Sequence, residues 1–189
     1  MNSFEYLATF VSVVAGLALT RALSGLAKTV HLRKKIRLSG VHLAWTGSVL
    51  LWLISYWWFT FLLTSIEQWT VALFLFVLIY GAVIYFLIAL LYPDKFESGA
   101  DLFEYFVDNR RWFFGTFVGL GVLDIADSWI KWLYNLPPPP MIRYSVLMIS
   151  WLALGIVGAI TANRMYHKVF AYVWLVVFGS WTLFIFADI

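Results

Sequence analysis

Cysteine is absent from the chain, which excludes disulfides and thiolate metal sites. Charge is scarce: Asp, Glu, Lys and Arg make up 12% of the residues, against about 25% in soluble domains. Proline is confined to Pro93 and the run Pro137–Pro140, so the long segments between them carry no breaker of that kind. No glycine-rich phosphate loop and no serine–histidine nucleophile pattern is present, and an enzyme is not expected. The longest basic block is Arg33–Arg37, too short to be the footprint of nucleic-acid binding.

What the chain has instead is apolar. Hydrophobic residues are 63% of the sequence and the mean hydropathy is +0.87. The class this implies is an integral membrane protein, all-α, with one compact transmembrane domain over residues 1–189 and short loops. The first apolar run starts at Phe4 with no cationic leader and no small-residue cleavage motif, so it reads as a retained helix rather than a signal peptide. Six segments are long enough to cross a bilayer: residues 4–30, 41–66, 70–92, 112–134, 143–162 and 169–188. Backbone polar groups in lipid must be satisfied within the segment, and these runs lack the alternation of barrel strands, so all six are expected to be helices. The link around Glu67 is short enough to force an antiparallel hairpin.

Positive charge orients the bundle. Lys28, Arg33, Lys34, Lys35 and Arg37 fall at one loop, Lys95, Arg110 and Arg111 at the next but one, and Arg164 and Lys168 at the next again. These loops alternate in sequence and therefore share a side, while the other side has Arg143 and, near a helix end, Lys131. The expected topology places the basic loops in the cytoplasm and both termini outside it. On the outer side the prolines of Asn135–Met141 favour a rigid extended turn.

One loop carries structure of its own. Over residues 101–111, Asp101, Glu104 and Asp108 share one helical face and Leu102, Phe103, Phe106 and Val107 the other. Asp101 with Glu104 three residues on has the form of a capping box. The spacing predicts a short amphipathic helix lying on the cytoplasmic membrane surface. Together with Arg33, Lys34, Lys35 and Arg37, its acidic residues are candidates for a cytoplasmic docking face.

The residues most suggestive of function are Asp124, Asp127 and Lys131, which share one stripe of the fourth apolar segment. A carboxylate at bilayer depth costs about 2.5–3.5 kcal/mol on insertion scales, so such groups face a cavity, a partner or a pathway. Asp124 is expected near the midplane, with Arg21 of the first segment as its counter-charge. The small-residue ridge Ser12, Gly16, Thr20, Ser24 and the glycines Gly115, Gly119, Gly155 and Gly158 predict close helix seams that bury the first, fourth and fifth segments centrally or form a subunit contact. His31, His42 and His167 fall at the expected cytoplasmic rim with no carboxylates at ligand spacing, and neither metal nor cofactor is expected. Of the eleven tryptophans, Trp45, Trp69, Trp112 and Trp132 are expected near interfaces, and Trp52, Trp57 and Trp58 in packing toward lipid, with the lining of a pocket for an aromatic or lipid ligand as the alternative.

Two stretches, Gly16-Leu17-Ala18-Leu19-Thr20-Arg21 and Glu104-Tyr105-Phe106-Val107-Asp108-Asn109-Arg110-Arg111-Trp112-Phe113-Phe114, resemble a group of small, uncharacterised bacterial polytopic inner-membrane proteins. That resemblance implies a bacterial plasma membrane and carries no functional residue across. The expected function is a small polar cavity, or an ion, proton or small-solute pathway, around Arg21, Asp124, Asp127 and Lys131, in a protein that is a homo-oligomer in the lipid bilayer. The alternative is a membrane sensor or accessory subunit, with a structural charge lock and a cytoplasmic protein partner.

Overall fold

The computed structural model describes residues 3–66, 68–95, 99–136 and 139–187. Among these the protein is helical throughout: α1 (Ser3–His31), α2 (Gly40–Phe59, continued as a 3-10 turn over Thr60–Ser65), α3 (Val71–Leu91), α4 (Leu102–Asp108), α5 (Arg110–Leu133), α6 (Met141–Ile160) and α7 (Arg164–Ala187). All but α4 are long and apolar enough to cross a membrane. Their bounds lie within a few residues of those expected from hydropathy. The link at Glu67 and the prolines Pro137 and Pro138 lie outside the described residues.

Local chemistry sets where the helices begin. The side chains of Ser39 and Thr70 accept from the backbone N–H of His42 and Leu73, and Asn163 accepts from Met165 and Tyr166, satisfying first-turn donors that the helix leaves open. Asp101 accepts from Phe103 at 2.8 Å and Glu104 at 3.3 Å, capping α4 as its sequence predicts.

The bundle packs α5 along α6 and α3, α1 along α3 and α2, and α2 along α7. Its core is aromatic. Trp45 is completely buried, with its ring edge-on to Phe113, Phe114 and Phe117 of α5 and to Phe170 of α7. Deeper in α2, Trp52 contacts Trp151, Trp174 and Phe178. These two tryptophans are interior residues rather than interfacial or lipid-facing ones, because α2 is the helix that the others surround. Trp57, Trp58, Trp112 and Trp132 are exposed on the outer surface.

Three further expectations change. The apolar face of α4 lies inside the bundle and not on a membrane surface: Leu102, Phe103, Phe106 and Val107 are buried, with Phe106 against Trp45 and Phe113. His42 and His167 are likewise buried, so only His31 is at a solvent-facing rim. The ridge Ser12, Gly16, Thr20, Ser24 points outward, and α1 packs instead through Leu7, Val11, Ala18, Ala22 and Gly25. The seam between α5 and α6 does form, since a Cβ on Gly155 or Gly158 would press into Val118 and Phe114, whereas Gly115 and Gly119 face open space.

Trp45→Ala should destabilise the protein by about 3–5 kcal/mol, the usual cost of emptying a buried indole site. Trp45→Phe should recover much of that, because the indole N–H has no hydrogen-bond partner to lose, and Trp112→Ala should be near neutral. Thermal unfolding of the purified protein in detergent checks the order; equal losses at 45 and 112 would contradict this account of the core.

Candidate functional site

Where α2, α3, α5, α6 and α7 end together, opposite the basic loops, they enclose a cavity of about 610 Å³. Asp124, Asp127 and Lys131 all line it, as their common helical stripe requires. Asp124 lies nine residues before the end of α5 at Leu133, or roughly 14 Å at 1.5 Å per residue. It is therefore nearer the cavity mouth than the basic end of its helix.

A chain of hydrogen bonds converges on its carboxylate. The indole N–H of Trp52 donates to the Tyr80 hydroxyl at 3.2 Å, and that hydroxyl donates to Asp124 Oδ1 at 2.9 Å. From the other side Ser128 Oγ donates to the Tyr144 hydroxyl at 2.9 Å, which donates to Asp124 Oδ2 at 3.0 Å. The Tyr56 ring stacks on Tyr80 with centroids 5.3 Å apart, and its hydroxyl donates to the Val77 carbonyl at 2.8 Å. These contacts lock the phenol that reaches the acid. An aspartate between two phenols keeps acceptor capacity, because two carboxylate oxygens offer about four lone-pair sites.

Asp127 and Lys131 form an ion pair one turn on, and the Lys131 ammonium also sits over the Phe59 ring, 5.2 Å from its centroid. With Lys131 engaged by Asp127, the second carboxyl group of the lining, Asp124, is left outside the ion pair. Among the described residues no cation stands within ion-pair distance of Asp124.

Arg21 is not its partner, contrary to the sequence reading. Its guanidinium donates to the Tyr92 carbonyl at 3.1 Å and to Asp94 at 2.8 Å, at the basic end of α3. The reason is geometric: α3 packs between α1 and α5, and a long arginine extends to the nearer wet end, where the Asp94 side chain is 91% exposed.

At the basic end, Arg33, Lys34, Lys35 and Arg37 are exposed, and the last three join Asp101 around a shallow hollow of about 310 Å³. The two loops there are stitched by backbone hydrogen bonds from Arg37 N to Ala100 O, from Leu102 N to Arg37 O and from Gly99 N to Lys35 O. Glu104 pairs with Arg164 rather than closing a capping box, and Asp108 is exposed.

Sequence reasoning missed Tyr80, Tyr144 and Ser128. A phenol in the middle of α3, otherwise the most apolar of the helices, was the available signal. Ser128 was legible as well, one position beyond Asp127 and i+4 from Asp124.

In comparisons with known proteins, the chain matches no family model, no curated protein and no solved structure. The fold and site themselves define the class: an all-helical bundle with six helices of membrane-spanning length and composition, holding a carboxylate-bearing cavity at one end.

Tyr80→Phe and Tyr144→Phe should each lower stability by about 1.5–3 kcal/mol, the range for hydrogen bonds to a charged group. In an Asp124→Asn background each loss should shrink. Double-mutant cycles on thermal unfolding measure the coupling, and unchanged losses in that background would mean the phenols matter for packing alone.

Proposed function

We propose that the protein is a multi-pass protein of the bacterial inner membrane, and that its function resides in the cavity around Asp124, Asp127 and Lys131, which takes up a small solute or ion. The basic loops face the cytoplasm in this reading, which puts the cavity mouth on the opposite side. The observation that carries it is Asp124 itself. A carboxyl group held by two phenols and turned to a cavity, with no ion-pair partner among the described residues, is a poor structural lock, because locks pair their charges. Arg21 has no part in the site. It anchors α1 to the end of α3.

The polar chain supports a binding cavity over a continuous pathway. Below Trp52 the bundle is filled by the rings of Trp45, Phe113, Phe117, Trp151 and Trp174, and no ionisable side chain among them extends the line of hydroxyls. Passage across the membrane would need those rings to separate.

A second reading, a sensor or accessory subunit docking a cytoplasmic protein, is favoured by the stitched loops at residues 35–37 and 99–102, which hold Lys34, Lys35, Arg37 and Asp101 in a fixed arrangement. One experiment separates the two. Because native cysteine is absent, single cysteines at Ser128, Asp127 and Lys131, with Lys35→Cys and Met141→Cys as controls, can be labelled in sealed vesicles by a membrane-impermeant thiol reagent. The cavity reading expects all three cavity positions to react from the Met141 side. Protection of all three, with both controls reacting from opposite sides, would defeat it and leave the docking reading.

A further inference from the structure

The site combines features that select a chemical class of ligand, and we propose that the cavity binds an organic cation: an ammonium group carried on an apolar body. This rests on the cavity being a ligand site, and it goes further by naming what the site recognises.

Four observations point the same way. The lining has at Asp124 a carboxyl group with no ion-pair partner among the described residues, and with lone pairs left over after Tyr80 and Tyr144 have donated. Its walls are rings, with Trp52, Tyr56, Phe59, Tyr80, Tyr144 and Trp181 all reaching the cavity. Electron-rich ring faces attract cations and do so most strongly when water is excluded. The protein's own cations already use this mode at the same end: the Lys131 ammonium rests between the Asp127 carboxylate and the Phe59 ring, and the Arg143 guanidinium lies 4.8 Å from the centroid of Phe184. Asp124, deeper in, meets the hydroxyls of Tyr80 and Tyr144 and lines the same ring-walled cavity without a cation on it.

The alternatives fit less well. Calcium and magnesium want six or more oxygen ligands in a close cage. No group of three acidic or histidine side chains in metal-binding reach occurs among the described residues. A cavity of about 610 Å³ is also far larger than a bare ion needs and falls in the range of small-molecule sites. An anionic ligand would meet Asp124 at the floor, and Lys131 is already engaged by Asp127. A neutral apolar ligand would leave the carboxylate facing hydrocarbon.

Lys131 sets the entry condition. It neutralises Asp127 near the mouth, so a positively charged ligand passes a balanced pair and meets its first unpaired countercharge at Asp124. The depth of that carboxylate, about two and a half turns inside α5, demands a cation with enough apolar bulk to fill the space above it.

The test uses the full-length protein in lipid nanodiscs and isothermal titration calorimetry. The probes are benzyltrimethylammonium, choline, the uncharged carbon isostere of choline (a dimethylbutanol) and potassium chloride. Saturable binding is expected for benzyltrimethylammonium, weaker binding for choline, and none for the alcohol or the salt. Asp124→Asn should weaken benzyltrimethylammonium on the order of tenfold or more, and Trp181→Leu, which keeps an apolar side chain but removes the ring face, by about three- to tenfold. Size-exclusion elution and thermal unfolding establish that each variant is folded; should Asp124→Asn fail to fold, Trp181→Leu still decides the point. Alcohol binding as tight as choline, or binding indifferent to both substitutions, overturns the cation assignment and leaves a neutral-ligand cavity. No binding by any probe, in a protein whose Ser128→Cys is reached by the aqueous thiol reagent, overturns the assignment but not the cavity. Protection at 128, 127 and 131 removes both.

Discussion

Trp52 stands where two kinds of interior meet. Its ring packs against Trp151, Trp174 and Phe178, closing the aromatic core, while its indole N–H turns the other way and donates to Tyr80. On one side of that residue lie the stacked and edge-on rings of the core, and on the other the hydrogen bonds that converge on Asp124. The single hydrogen bond matters because it orients Tyr80, whose hydroxyl is then committed to the carboxylate. The phenol on the opposite side, Tyr144, is committed in the same way by Ser128. Side chains of α2, α3, α5 and α6 thus hold one acid, and the cavity follows from where they must stand to do so.

The same economy of charge governs the rest of the molecule. Helices that associate in lipid gain little from the hydrophobic effect between them, so close packing, ring contacts and a few satisfied polar groups do the holding. The α5–α6 seam runs on Gly121, Gly155 and Gly158 against Trp151, Val118 and Phe114, and Trp151 ties it further by donating to the Phe117 carbonyl at 2.9 Å. Most charges that take no part in the cavity lie at the basic end, Arg143 beside Phe184 being an exception. Arg21 reaches Asp94 and Tyr92 there, and Arg164 reaches Glu104, an exposed pair that contributes little to stability. At the cavity end Asp124 is a carboxyl group without an ion-pair partner among the described residues.

Much of the fold was legible because it depends on local patterns. Segment hydropathy placed six long helices, and the spacing of acidic and apolar positions after Asp101 placed α4 and its cap. The stripe of Asp124, Asp127 and Lys131 followed from helical periodicity alone, and all three line one cavity. What failed were statements about neighbours. Hydropathy cannot distinguish a helix face turned to lipid from one turned to another helix, since both are apolar. Trp45, Trp52 and the face of α4 were therefore placed toward lipid or its surface when they are buried in the bundle, and the small-residue ridge of α1, read as a central seam or a subunit contact, forms no seam within the chain.

The amino-acid sequence by itself determined the helical class, the count and approximate bounds of the long apolar helices, the segregation of basic residues to alternate loops, and the stripe of charges on α5. These rest on composition and on periods of a few residues, which are properties of the chain. Only the tertiary structure decided that Arg21 belongs to Asp94 and not to Asp124, that Tyr80 and Tyr144 hold the acid instead, and that a cavity opens beside it. Those outcomes depend on which helix lies next to which. With α3 packed between α1 and α5, the donors that reach Asp124 are the phenols of α3 and α6, two uncharged groups that satisfy its oxygens without supplying an opposite charge.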